Sequence, residues 1–189
     1  MIDDIIIYDK TLFVYLNNLG SNEFDFIWII LSNKLINIFL YAGIVFLFFK
    51  NSNIKSTTKL VLFTLLMILF TDQTTNLVKD GFSRLRPCHD PFLSDITRLV
   101  KDSCGGLYGY FSAHASNSFA LAIFFNGILK NRSKYLGVFF IIVAFLIGYS
   151  RIYLGVHYPL DVVSGAFYGI FSGYIFYMFW KRIKVDVKN

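Results

Sequence analysis

Three short groups of residues in this chain combine cationic side chains with histidines. They are Lys79 with Arg86; Ser112, Ala113 and His114; and Ser150, Arg151, His157 and Asp161. Arginine binds phosphate oxygens in a bidentate manner, and lysine binds them as a point charge. Free backbone N–H groups at the start of a helix also bind anions, helped by the helix dipole. We therefore predict one set of phosphate ligands: Lys79, Arg86, Ser112, Ala113, Ser150 and Arg151.

The two histidines of these groups could supply nucleophilic and acid–base chemistry. His157 precedes Asp161 by four residues, about one helical turn, so the carboxylate can accept a hydrogen bond from one ring nitrogen. The other nitrogen then stays unprotonated as a nucleophile, and His114 can protonate a leaving oxygen. This predicts a phosphohistidine intermediate that water hydrolyses. No cluster of residues has metal-ligand spacing, so we predict no metal and no other cofactor.

The composition indicates that a membrane protein positions these residues. Of the 189 residues, 56% are hydrophobic and only 16% are charged, whereas soluble domains are about a quarter charged. The mean hydropathy of +0.56 points the same way, and this apolar content excludes disorder. The net charge of +6 comes from short basic clusters between apolar runs, which argues against a nucleic-acid partner and favours membrane insertion.

The apolar runs predict an all-α, polytopic membrane helix bundle that forms a single domain over residues 1–189. A membrane span needs about 20 mostly apolar residues. Five runs qualify as predicted spans: 35–49, 60–78, 111–129, 135–149 and 162–180. The first could extend back to Phe24. Residues 1–23 contain an amphipathic segment at 5–19, which we expect to lie on the membrane surface; a sixth span results if it inserts.

Lysine and arginine predict the orientation of these spans. The basic loop residues fall on one side: Lys50, Lys55 and Lys59; Lys130, Arg132 and Lys134; and Lys181, Arg182, Lys184 and Lys188. That side is expected to be cytoplasmic. The opposite side carries the loop 79–110 and the turn 151–161, and therefore all three polar groups. Cys88 and Cys104 both lie in this outer loop, where they could form a disulfide or remain two unpaired thiols.

The three groups resemble the signature of the type 2 phosphatidic acid phosphatase superfamily, a family of membrane lipid phosphatases. Its pattern is Lys-x6-Arg-Pro, then Pro-Ser-Gly-His, then Ser-Arg-x5-His-x3-Asp. The first and third parts are matched in full, by Lys79, Arg86 and Pro87 and by Ser150, Arg151, His157 and Asp161. In the second part Phe111 and Ala113 replace the family's proline and glycine. The resemblance runs from about residue 60 to residue 180.

The resemblance implies specific roles and a lipid phosphate substrate. It implies His157 as the nucleophile, Asp161 as its orienting partner and His114 as the general acid. It also implies that Lys79, Arg86, Ser112 and Arg151 bind phosphate and that no metal is needed. Candidate substrates are undecaprenyl diphosphate, phosphatidylglycerol phosphate, phosphatidic acid and lipid A phosphate. We expect an integral protein of the bacterial cytoplasmic membrane, with its site on the periplasmic or extracellular face.

Some residues and activities have competing interpretations. Asp72 could act on Lys79 or hydrogen-bond its polar neighbours, and we interpret Arg84 as a solvated loop charge rather than a contact to the substrate headgroup. Gly165 and Gly169 have the spacing of a helix-packing pair. A non-catalytic lipid-phosphate binding or transport protein and a vanadate-dependent haloperoxidase are the rival functions. Membrane lipids are the expected surroundings, and the sequence carries no signal for an oligomeric state.

Overall fold

A computed structural model describes residues 2–50, 52–129 and 134–183. These ranges contain seven α-helices: α1 (Ile2–Asn18), α2 (Asp25–Leu31), α3 (Lys34–Lys50), α4 (Ile54–Phe82), α5 (Ala113–Leu129), α6 (Lys134–Tyr153) and α7 (Pro159–Trp180). Within the same ranges there is no β-strand, and an isolated bridge pairs Leu85 with Tyr108. The predicted all-α class is confirmed. Part of the basic set used to predict orientation lies outside the described residues: Lys130, Arg132, Lys184 and Lys188.

Helix α5 lies at the centre of the bundle, where it packs against α4, α6 and α7. Glycines on α7 allow the backbones of α5 and α7 to approach closely. A Cβ atom at Gly165 would lie 2.6 Å from the carbonyl oxygen of Ser112, and Gly169 faces the carbonyl of Ser116 in the same way. The structure therefore agrees with the predicted packing role of these two glycines.

Fewer helices than predicted qualify as membrane spans. Among the described residues, three are long and apolar enough: Ile54–Phe82, Tyr135–Tyr153 and Pro159–Trp180. A fourth crossing results if α2 and α3, which meet at a bend of 56°, act as one span. Helix α5 has 17 residues, or about 26 Å, against a hydrocarbon core of about 30 Å. The helices support an integral membrane protein, but the count of five spans is not confirmed.

The bend between α2 and α3 follows from the polar residues that interrupt this apolar stretch. The side-chain oxygen of Asn33 accepts a hydrogen bond from the backbone N–H of Leu35 at 2.9 Å. Asparagine in this position caps the start of a helix, so a second helix begins here with a new direction. The predicted extension of the first span back to Phe24 is therefore a separate short helix, α2.

Helix α4 is longer than the predicted span 60–78 at both ends. Asn53 caps its start by accepting a hydrogen bond from the backbone N–H of Ser56 at 2.8 Å. At its end, Ser83 adopts a left-handed backbone conformation with φ of 48°. Lys79 therefore lies in the last turns of α4, which corrects the prediction that the outer loop begins at this residue.

Helix α1 packs on the bundle through two polar side chains and one aromatic ring. Asp9, Phe13 and Asn17 are buried against the protein, whereas Ile5 and Leu12 are exposed. The amide of Asn17 lies within hydrogen-bond distance of carbonyl groups at the end of α6 and in the outer loop. The apolar side of this amphipathic helix thus faces outward, as expected for a helix that lies against lipid.

Candidate active site

The three predicted groups meet at one end of the helix bundle. Helices α4 and α6 end there, and α5 and α7 begin there. A cavity of about 720 Å³ extends from these helix ends along α3 and α4. The predicted residues that line it are Lys79, Arg86, Ala113, His114, Arg151 and His157. The topology therefore brings residues from all three groups to one cavity.

His157 and Asp161 form a buried pair at the start of α7. Nδ1 of His157 lies 3.4 Å from Oδ2 of Asp161, and the same carboxylate oxygen accepts a hydrogen bond from the backbone N–H of Tyr158 at 3.0 Å. Both side chains are almost fully buried. With Nδ1 directed at the carboxylate, Nε2 is the nitrogen left to react.

The surroundings of His157 keep its ring uncharged. Burial lowers the pKa of His157 well below its usual value, and the nearby charges of Arg151, Arg86 and Lys79 lower it further. A hydrogen bond with the backbone of Gly109 acts in the opposite direction but is the weakest of these influences. A neutral imidazole is the form that can attack phosphorus.

Arg86 is fixed by carbonyl groups of the outer loop. Its Nε donates to the carbonyl oxygen of Tyr108 at 3.2 Å, and its Nη1 donates to that of Cys104 at 2.7 Å. The loop approaches closely because position 109 is glycine: a Cβ atom there would lie 3.0 Å from Oδ2 of Asp161. Gly109 has no place in the predicted groups, and its contribution became evident only from this close approach.

Arg151 is a buried cation with spare hydrogen-bonding capacity. It is 5% exposed and donates to the hydroxyl of Ser32, which lies between α2 and α3. Its Nε is buried without a hydrogen-bond partner among the described residues. Lys101 also reaches Ser32, at 3.3 Å, so a second positive charge lies nearby. A buried, incompletely paired guanidinium is suited to binding an anion.

Comparison with known proteins identifies the family. Residues 60–184 match the family model described as the PAP2 superfamily. The chain belongs to the PAP2 superfamily. The resemblance inferred from the three groups is thereby confirmed.

Several phosphatases are similar to this chain over most of its length. A lipid A 4'-phosphatase from Bacteroides thetaiotaomicron is 36% identical over 191 residues, which cover 100% of this chain and 84% of the relative. Another from Porphyromonas gingivalis is 32% identical, covering 92% of this chain and 73% of the relative. A PAP2 type phosphatidylglycerolphosphate phosphatase from Bacillus subtilis has a similar fold, with a TM-score of 0.74 at 19% identity over 96% of this chain and 88% of that one. These findings support a PAP2 lipid phosphatase.

The second part of the PAP2 pattern, which departs from the family at Phe111 and Ala113, lies at the start of α5. Ser112 is fully buried, donates its backbone N–H to the carbonyl of Asp161 at 2.9 Å, and accepts from the backbone N–H of Ala115 at 3.4 Å. Ser112 therefore joins α5 to α7 and does not line the cavity, whereas Ala113 and His114 do. Among the described non-glycine residues only Ser83 has a positive φ, so alanine at position 113 is not strained.

Ser150 does not line the cavity, in contrast to Arg151 and His157 of the same PAP2 motif. It is fully buried within α6, and its hydroxyl donates to the carbonyl of Ile147 at 2.6 Å. The structure therefore does not bring Ser150 together with the four predicted phosphate ligands that line the cavity, Lys79, Arg86, Ala113 and Arg151.

Arg84 is a site residue of this PAP2 protein that sequence reasoning missed. Its guanidinium donates to Oδ1 of Asp161 at 2.8 Å and to Oδ2 of Asp9 at 2.6 Å. Burial lowers the pKa of Arg84, but the carboxylates of Asp161 and Asp9 outweigh burial and raise it. The interpretation of Arg84 as a solvated loop charge is wrong. One signal was available, because residues two apart in an extended segment share a face, and Arg86 was already assigned to the site.

A disulfide closes the outer loop beside the site. Cys88 and Cys104 are joined with a Cα–Cα distance of 6.1 Å. In the chain-entropy model, a disulfide that closes a loop of this size stabilises the folded state by about 3 kcal/mol. The bond also fixes the carbonyl of Cys104 that holds Arg86. Among the described residues, no three of His, Cys, Asp and Glu form a group that could hold a metal ion.

Proposed function

We propose that this PAP2 lipid phosphatase removes a phosphate group from a glycolipid of the lipid A type. The observation that carries the proposal is the His157–Asp161 pair, which lies at a cation-lined cavity. The similarity to two lipid A 4'-phosphatases supports the substrate class. Undecaprenyl diphosphate, phosphatidylglycerol phosphate and phosphatidic acid are the other candidate substrates.

The reaction begins with attack by Nε2 of His157 on phosphorus. As the P–N bond forms, the bond from phosphorus to the lipid oxygen breaks, and His114 donates a proton to that oxygen. The bound phosphate dianion favours the protonated state of His114 before this step. His114 then takes a proton from water, whose oxygen attacks the phosphohistidine and releases inorganic phosphate.

The fixed cations stabilise the charge on the group in transfer. Lys79, Arg86 and Arg151 line the cavity around His157 and can neutralise the equatorial phosphate oxygens. Backbone N–H groups at the start of α5, at Ala113 and His114, add donors and the positive end of a helix dipole. We do not include Ser150 among these ligands, since its hydroxyl is bonded within α6.

The rest of the cavity suits a lipid tail. Away from the cations its walls are largely apolar side chains from α3 to α6: Ile38, Tyr41, Val45, Val61, Leu65, Ile68, Leu121, Phe125 and Ile147. A substrate can keep its tail beside these residues while its phosphate reaches the histidines. The basic residues Lys50, Lys55 and Lys59 lie at the opposite ends of α3 and α4, and the positive-inside rule supports a cytoplasmic location for that end and an outer-face location for the site.

Phosphate release from purified protein in nanodiscs tests this function. The four candidate lipids are assayed with wild-type protein, with His157→Ala and with Asp161→Asn, and both variants are expected to lose nearly all activity. His89→Ala is the matched control, because His89 lies outside the cavity and should retain activity. Vanadate should inhibit the wild-type enzyme. Full activity in both site variants would refute the mechanism, and headgroup binding without turnover by wild-type protein would favour a non-catalytic binding protein.

A further inference from the structure

A polar band separates the phosphate site from the apolar part of the cavity. Its members are Asn37, Asp72, Asn76 and Asn117. Asp72 precedes Lys79 by seven residues on α4, which is about 10 Å along the helix axis. Asn117 follows His114 by three residues on α5, about 4.5 Å along its axis. A group bound here is therefore directly next to the reacting phosphate on the lipid side.

The two central members of this band hold each other in place. Nδ2 of Asn117 donates to Oδ1 of Asp72 at 2.7 Å, and the hydroxyl of Thr71 donates to the side-chain oxygen of Asn117. Within the part of the chain that the structure describes, Oδ2 of Asp72 has no hydrogen-bond partner, and the pair forms no salt bridge. One carboxylate oxygen and one amide N–H therefore remain available to a ligand.

The chemistry of the band discriminates between the candidate substrates. A carboxylate accepts hydrogen bonds from hydroxyl or amide N–H groups, and it repels a second anionic group. Next to its diphosphate a polyprenyl chain carries no hydrogen-bond donor, and the acylated glycerol of phosphatidic acid carries none either. Phosphatidylglycerol phosphate carries a hydroxyl beside its terminal phosphate, but its second phosphate is an anion that the carboxylate repels. An acylated hexosamine presents hydroxyl and amide N–H groups on the ring that bears its phosphate. Burying Asp72 beside an apolar chain would leave its acceptor unpaired, which is costly.

We propose that Asp72 and Asn117 form a sugar subsite, in which the carboxylate of Asp72 accepts a hydrogen bond from the phosphorylated ring. This inference rests on the proposed function, since it assigns part of the same substrate. It makes Asp72 a specificity-determining residue. The rival explanation is that Asp72 acts through its charge on Lys79, two turns away on the same helix.

The test compares two substrates on each protein preparation, a phosphorylated acyl-hexosamine lipid and phosphatidic acid. The ratio of their kcat/KM values does not depend on the fraction of protein that is folded. Asp72→Leu should lower this ratio by about tenfold or more, mainly through KM for the sugar lipid. Asp72→Asn keeps an acceptor oxygen of the same size and should lower the ratio by less. Gln73→Leu is the matched control, because Gln73 is exposed and lies outside the cavity.

The possible results distinguish a failure of the sugar subsite from a failure of the proposed function. An equal loss on both substrates in Asp72→Leu and Asp72→Asn would show a charge effect on Lys79 and overturn the subsite while leaving the phosphatase intact. A wild-type preference for phosphatidic acid or for polyprenyl diphosphate would also overturn it. Failure of the wild-type protein to hydrolyse any of these lipids would refute the proposed function, and the subsite with it.

Discussion

A chain of contacts that begins outside the three predicted groups sets the orientation of the His157 ring. Asp161 faces Nδ1 of His157, and Arg84 holds the other oxygen of the same carboxylate. Asp9 in turn holds Arg84 and accepts from the backbone N–H of Leu160 at 2.8 Å. Each contact restricts the orientation of the following side chain, so the imidazole of His157 faces the cavity in one orientation.

Replacing Arg84 tests this chain of contacts. Arg84→Gln should lower kcat by about tenfold to 100-fold with little change in KM, because hydrogen bonds to charged groups contribute about 1.5–3 kcal/mol. Arg84→Lys should restore part of the loss. Steady-state kinetics on one lipid substrate measure both effects.

The control for Arg84 is another arginine of the same loop. Arg98 pairs with Asp25 at 2.7 Å and does not line the cavity, so Arg98→Gln should leave kcat largely unchanged. If Arg84→Gln retained wild-type kcat, Arg84 would have no positioning role.

The pH dependence of the reaction should report the cations around His157. Because burial and the charges of Arg151, Arg86 and Lys79 lower the pKa of His157, its reactive neutral form persists below pH of about 6.5. Removing one charge in Lys79→Met should raise this pKa and move the acid limb of kcat/KM to higher pH. Both profiles use one substrate, so titration of its phosphate is common to them. A shift to lower pH would contradict the assignment.

The residues of the site were predictable where the interacting residues lie close together in the sequence. His157 and Asp161 are one helical turn apart, and the cations occur in short groups, so the sequence alone indicates their chemistry. Arg84 was not predictable in the same way, because its partners lie 75 and 77 residues away. Ser150 fits the pattern, yet its hydroxyl has a nearer partner in its own helix.

At the level of helices, α1 contributes to the site through its polar side. The side-chain amide of Asn17 lies 2.9 to 3.1 Å from the carbonyl oxygens of Arg98, Ile152 and Tyr153. Its side-chain oxygen accepts from the backbone N–H of Arg98 at 2.8 Å. These bonds join α1 to the outer loop and to the end of α6.

Truncation of Asn17 should therefore destabilise the protein. Asn17→Ala leaves buried backbone groups unpaired, and we expect a loss of about 2–4 kcal/mol in the free energy of unfolding. Chemical unfolding in detergent measures the loss. Asn18→Ala is the control, since Asn18 is exposed and one residue away. Equal stability of the two variants would show that α1 is not anchored through this amide.

Helix limits were predictable from apolar runs only where polar residues did not intervene. The runs at 135–149 and 162–180 correspond to α6 and α7. The polar pair at positions 33 and 34 divides the first span into two helices because Asn33 caps the second. Helix α4 continues past the predicted run 60–78, and Lys79 in this added part faces the cavity, where a polar side chain needs no lipid contact.

On the scale of the whole molecule, the two cysteines provide a test of orientation. Cys88 and Cys104 are the only cysteines in the sequence, and both lie beside the site. After mild reduction, a membrane-impermeant maleimide should label both in right-side-out vesicles without detergent, because disulfides persist on oxidising faces. Labelling that requires detergent would instead assign the site to the cytoplasmic side.

Trapping the covalent intermediate tests whether His157 attacks phosphorus. Wild-type protein is mixed with a lipid substrate carrying a radiolabelled phosphate, quenched within milliseconds under alkaline conditions, digested, and mapped by mass spectrometry. We expect an acid-labile phosphoryl group on the peptide that contains His157, and none in His157→Ala. Rapid phosphate release with no labelled peptide, or with the label on another residue, would contradict it.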